Sequence, residues 1–303
     1  MEHSDPRPAP AEPPHDATAP HAADAPETAP TPAAPGDAGD SGVDPAYRAR
    51  LRAQFDRQLR EKAPADGPTS RVERISGVVR QTSTASGWNG VLWSQLDADT
   101  ADAAIAEQIR HFGALGHSFE WKLYDYDEPA DLADRLRAAG FVPEPAEALL
   151  VADVQQQPTE VRLPDGVTLR PVRDADDVRL MAEVHQKAFG TDASAFHARL
   201  AEQVTAGTDT LVATVVMAGD EPVCAARMEF YPGTEFVGLW GGGTAPAWRG
   251  RGIYRALVAH RARIAAERGY RYLQVDASDD SRPILQRLGF VHLATTTPYV
   301  YGG

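Results

Sequence analysis

The chain has 303 residues, with 30 Lys plus Arg against 43 Asp plus Glu and a formal net charge of -13. Its one cysteine, Cys224, excludes an internal disulfide scaffold and a thiolate metal cluster. No apolar run approaches the roughly 20 residues of a membrane span, and the opening MEHSDPRPAP holds no apolar stretch of the kind a secretory signal needs.

Residues 1–45 hold nine acidic residues, one Arg, eleven Pro and eleven Ala. That segment carries -8 of the charge and leaves -5 for the rest. Apart from Met1, Val43 is its only large apolar residue. Such a composition cannot bury enough surface to offset the entropy of ordering, so a disordered tail is predicted. A solvated leader is the plain reading; a docking tail or spacer is the alternative. The moderately acidic body argues against nucleic acid as a partner, because phosphate binding needs basic surface. The default is a cytoplasmic protein with no membrane contact. At roughly 150 residues per domain, the length suggests two domains.

A helix is predicted over 46–63, with Tyr47, Leu51, Phe55 and Leu59 in a stripe at spacing four. Pro64, Gly67 and Pro68 end it. Strands follow at 71–83 and 87–96, then a helix capped by Asp97 or Asp99 and stopped by Gly116. A strand at 119–124, a helix at 129–139 ended by Gly140, and a strand at 147–153 complete a first lobe, 46–154. Residues 155–165 read as a linker.

The second lobe, 166–303, opens with a strand at 167–171. Asp174 caps a helix reaching Phe189, and a second helix covers 193–206. Strands are predicted at 210–218, 222–231 and 235–244, a helix at 252–267, a strand at 271–276, a helix at 281–288 and a strand at 291–300. Gly116, the 119–124 strand and Gly140-Phe141-Val142 are matched by Gly269, the 271–276 strand and Gly289-Phe290-Val291. The offsets of 153 and 149 point to a diverged internal duplication.

The chemistry-bearing stretch runs from Thr244 to Leu257. A strand ends there, a turn with Arg249, Gly250, Arg251 and Gly252 follows, and a helix begins. Glycines let a ligand approach the backbone. The first amides of a helix lack intrahelical partners and favour an anion. The turn suits a pyrophosphate. It lacks the Gly-Lys-Ser/Thr of a Walker loop. It is too short for the dinucleotide fingerprint, and no acidic ribose ligand is suitably spaced.

Arg249-Gly250-Arg251-Gly252-Ile253, with Pro246 before it and Ala256-Leu257 after it, resembles the acyl-CoA-binding motif of the GNAT superfamily of N-acetyltransferases. Leu288-Gly289-Phe290 resembles the close of that family's following helix. The resemblance spans about 167–303. It implies an α/β fold with a mixed sheet flanked by helices, acetyl-CoA as co-substrate, and acetyl transfer to an amine. It places Gly243, Thr244, Ala245, Arg249, Gly250, Arg251, Gly252, Ile253 and Tyr254 at the cofactor, with Gly242 beside them. Tyr254 stands where the family has a small residue. It either turns aside, contacts the ligand or sets the helix farther out. The Gly241-Gly242-Gly243 run is either a groove for a flat-lying ligand or a simple bulge.

Direct transfer needs a neutral amine. At an alkylamine pKa of about 10.4, deprotonation at neutral pH costs roughly 4.6 kcal/mol, so a general base is expected. Glu229, on the strand before the cofactor strand, is the first candidate and Asp276 the second. The family's tyrosine acid would fall at Leu285. Tyr299, Tyr254 or Ser281 would then replace it, or the thiolate leaves unassisted. Cys224 reads as a small core residue. The first lobe has Asp97 and Asp99 where a phosphate turn would lie, so it is expected not to bind CoA. Trp88, Trp93, Trp121 and Tyr124 read as packing, with a pocket lining as the alternative. No metal is expected. The reading is a two-lobe GNAT-like transferase acting on a small primary amine. A non-catalytic CoA sensor and an interaction module with a vestigial cofactor site are the alternatives.

Overall fold

The computed structural model describes residues 43–302, apart from 68, 85–86 and 191–193. The tail expected over 1–45 lies almost wholly outside the described residues. The elements in order are α1 (Pro45–Phe55), β1 (Ser70–Ile75), β2 (Val78–Ser83), β3 (Gly90–Ser94), α2 (Ala101–Leu115), β4 (Phe119–Tyr124), α3 (Leu132–Ala138), β5 (Val142–Pro143) and β6 (Glu147–Asp153). The second lobe follows with β7 (Val167–Pro171), α4 (Ala175–Phe189), α5 (Ser194–Thr205), β8 (Leu211–Ala218), β9 (Glu221–Phe230), β10 (Phe236–Thr244), α6 (Ile253–Glu267), β11 (Tyr272–Ala277), α7 (Arg282–Arg287) and β12 (Val291–Tyr301). The helix predicted over 46–63 passes from α1 into a π-helical segment, Asp56–Glu61.

The strand expected over 71–83 is a hairpin. Ser76 and Gly77 both have positive φ, at 50° and 76°, and turn β1 back onto β2. A Ser-Gly pair with both φ values positive gives a two-residue turn whose twist matches the strands. The third strand begins only at Gly90.

The two lobes are interlocked, not merely adjacent. One twelve-stranded sheet runs β1-β2-β3-β4-β12-β6-β11-β10-β9-β8-β7, with β5 attached to β12. The last strand of each lobe thus lies against the other lobe: β12 pairs with β4, and β6 pairs with β11. Between them β6 and β12 run antiparallel, with Glu147 opposite Thr296. A local dyad passes through that pair. Its register makes Lys122, opposite Pro298, equivalent to Asp276, opposite Leu149. The strand offset is therefore 154, one more than the glycines alone suggested.

Side chains alternate across the sheet, so each face is defined. Phe119, Trp121 and Leu123 of β4 pack with α2 and α3 residues such as Phe112 and Leu136. Leu273, Val275 and Ala277 of β11 pack with Val258, Ala262 and Leu285 of α6 and α7. These four helices share one face. The other face carries α1, whose Leu51 and Phe55 rest on Tyr124, Leu149, Phe236 and Tyr272. It also carries α4 and α5, packed on Ala213, Val215 and Ala225. Between α1 and α4 the same face presents polar residues, among them Arg227, Glu229 and Asp276.

Candidate functional site

β10 and β11 are parallel and paired only over Phe236–Gly238 and Tyr272–Gln274. Beyond that the two strands no longer pair. The β10–β9 register breaks between Trp240 and Gly243, so β10 carries a bulge there. The glycine run has a specific cause. Gly241 has φ 58°, and a Cβ on it would crowd Arg227 at 3.2 Å and His185 at 3.3 Å. A Cβ on Gly242 would lie 2.9 Å from the Tyr254 ring, and one on Gly243 2.7 Å from Phe189. The strand is pressed from both faces, and only glycines fit.

His185 pins the bulge. Its Nε2 lies 2.9 Å from the Gly241 carbonyl, and its Nδ1 2.9 Å from His197 Nε2. A carbonyl only accepts, so His185 Nε2 donates to it; burial keeps the ring neutral, which leaves Nδ1 to accept from His197. Burial, with His197 adding, lowers the His185 pKa to about 4. Nothing in one sequence distinguishes this histidine from any other on an amphipathic helix.

The turn after β10 has the form an anion needs. Pro246–Trp248 is a single 3-10 turn, and α6 starts at Ile253 with Gly252 as its cap at φ 80°. The first α6 bond within this turn is Ala256 N to Gly252 O, so the amides before it lack intrahelical partners. Space around a Cβ at Gly250 is open to beyond 4 Å. Arg251 lies over the Trp248 ring at 4.5 Å. Arg249 takes a different part from the one expected. Its Nε donates to Thr244 O at 3.2 Å and its Nη2 to Ala188 O at 3.1 Å, tying the turn to β10 and α4. Tyr254 turns inward over Gly242, and burial raises its phenol pKa against the opposing pull of Arg261. Cys224 is a buried core residue that accepts from Thr244 Oγ1, and burial pushes its thiol up to about 11. Leu285 is wholly buried in the core.

Glu229 faces the opposite side of the sheet from α6. Its Oε1 accepts from Arg227 Nε at 2.8 Å, and its side chain is 35% exposed. Residues i and i+2 of a strand share a face, so this pair was readable in the sequence. Asp276 is on the same face. Its Oδ2 is 2.7 Å from Lys122 Nζ and its Oδ1 accepts from Gln274 Nε2 at 3.1 Å. Burial raises its carboxyl against Lys122, which opposes the shift. Tyr231 is within electrostatic reach of both Glu229 and Asp276, and burial raises its phenol. Asp66, from the first lobe, is solvent-exposed yet has its carboxyl raised by surrounding protein, with Glu229 adding to the shift. Tyr299 is not in this group. It faces the α2–α3 side and is buried with Trp121 and Phe141, so it does not serve as the acid. Trp121 and Tyr124 are core residues, whereas Trp88 is half-buried and donates to Glu120.

Residues 178–290 match the model of the acetyltransferase (GNAT) family. No curated protein matches the sequence. Among solved structures, a GCN5-related N-acetyltransferase from Kribbella flavida is similar, with 18% identity, 85% of this chain and 95% of that one covered, and a TM-score of 0.59. A GCN5-related N-acetyltransferase from Sphaerobacter thermophilus has 15% identity, covering 75% of this chain and 80% of its own, at TM-score 0.53. A tandem GNAT protein from the clavulanic acid biosynthesis pathway has 13% identity, with 78% and 84% covered and TM-score 0.55. At these identities the likeness is one of fold.

Proposed function

We propose that this chain, whose residues 178–290 match the acetyltransferase (GNAT) family model, is an N-acetyltransferase moving the acetyl group of acetyl-CoA to a primary amine of a small molecule. The observation that carries this reading is the parting of β10 from β11 beside the Gly250–Gly252 turn. The first-turn amides of α6 and the Arg251 side chain would hold the pyrophosphate. The backbone of Gly242, Gly243, Thr244 and Ala245 would follow the pantetheine arm. The region 46–154 acts as the non-CoA-binding lobe and 166–303 as the cofactor-binding one.

The amine must approach from the face opposite α6, where Glu229 lies. As general base, Glu229 takes the ammonium proton directly or through one water. The neutral nitrogen attacks the thioester carbonyl. The C–N bond forms, the C–S bond breaks, and the second proton shed by the nitrogen passes, directly or through water, to the departing CoA thiolate. Arg227 orients Glu229 through the hydrogen bond that its Nε donates to Oε1. Leu285 offers no acid. An assay of CoA release over a panel of primary amines tests the reading. Amine-dependent release supports it; tight CoA binding without release for any amine would favour a sensor instead.

A further inference from the structure

The polar strip between α1 and α4 draws on both lobes. β9 supplies Arg227 and Glu229, β11 supplies Asp276, β6 supplies Glu147, and β4 supplies Glu120 and Lys122. Asp66 reaches it from the connection between α1 and β1. Asp66, Glu120, Glu147, Glu229 and Asp276 face two cations, so the formal charge is -3. Carboxylates gathered between low-dielectric walls concentrate cations.

A second observation is independent of that charge. Glu120 is 3% exposed, its Oε2 accepts from Trp88 Nε1 at 2.8 Å, and its Oε1 has no hydrogen-bond partner among the described residues. Its electrostatic neighbours are Lys122 and Asp276 of the strip. A buried carboxylate oxygen left unpaired is costly, and a donor is expected there. The half-buried rings of Trp88, Tyr231 and Trp240 add faces that attract ammonium groups.

We propose that the strip binds an acceptor with two amino groups: one is presented to Glu229 for acetylation, and the other, kept as an ammonium, is held by Glu120 of the first lobe and its carboxylate neighbours. The inference rests on the transferase reading. It makes the first lobe part of the acceptor site rather than a support.

The test is calorimetry on the full chain without cofactor, titrating linear α,ω-diamines and the n-alkylamines of the same length. The best diamine should bind about tenfold tighter than its monoamine, equal to about 1.4 kcal/mol. Glu120→Gln should bring the two within about twofold. Asp66→Asn, at an exposed position, should narrow the gap as well and covers the case where Glu120→Gln does not fold. Equal binding of diamine and monoamine, or a diamine advantage that survives both substitutions, overturns the proposal. Acetyl-CoA titrated in parallel separates the two readings. Normal CoA binding with no diamine preference sinks only this inference, whereas absent CoA binding sinks the transferase.

Discussion

Lys122 Nζ stands 2.7 Å from Asp276 Oδ2, and the two residues occupy equivalent places in the two halves of the duplication. The bond crosses the local dyad and closes one lobe onto the other. At the same structural position one lobe carries a cation and the other an anion, so divergence turned a repeated position into a complementary pair. Asp276 is buried and Lys122 is half-buried, at 2% and 15% side-chain exposure. Removing one partner of such a pair leaves an unpaired buried charge, which typically costs about 3–5 kcal/mol. Lys122→Met should therefore lower stability by about that amount. Lys122→Met with Asp276→Leu should recover most of it. Urea unfolding at unchanged m-value is the measurement. Equal stability of the single and double variants would refute the pair's role.

The His185 ring makes stability pH-dependent. Its folded pKa of about 4 lies below the ordinary value of 6.5 because burial disfavours the cation. A depressed histidine is neutral in the fold and binds a proton in the unfolded chain. Its contribution is complete above pH 6.5 and falls away as the pH drops toward 4. The total is about 3 kcal/mol at most. His185→Asn should flatten the stability profile across that window, read by unfolding at a series of pH values. An unchanged slope would remove His185 as its source.

Glu229→Gln should lower kcat by about a hundredfold or more, the usual contribution of a general base. The KM for acetyl-CoA should hardly move, since Glu229 faces away from α6. Raising the pH should restore part of the rate, because the free amine then deprotonates without help. A variant with full rate at neutral pH would take the base role from Glu229.

Much of the second lobe was legible in the sequence. The strand-turn-helix around Gly250 and Gly252 follows from turn chemistry, and β7 at 167–171 from its alternation. The strand over 119–124 and that over 147–153 also match the structure. The Ser76-Gly77 hairpin turn was missed because Ser76 rarely takes a positive φ. The exchange of β6 and β12 was not readable. Strand pairing depends on partners 150 or so residues away, and no local signal names them. The same holds for the site. Arg227 beside Glu229 follows from strand periodicity, but Asp66, Glu120 and Lys122 meet the second lobe only through the interlocked sheet. Tyr299 fell on the wrong face for the same reason, since its strand belongs to the first lobe's core.

The cofactor site proposed for this protein is the turn after β10, where acetyl-CoA would bind. Gly252, at φ 80°, tests it directly. A side chain in this left-handed region costs about 1–2 kcal/mol and would displace the amides that open α6. Calorimetry of acetyl-CoA with the intact chain and with Gly252→Ala is the decisive measurement. One cofactor bound per chain, with affinity weakened about tenfold or more in the variant, is the predicted result. No binding by the intact chain, or equal binding by both, would contradict it.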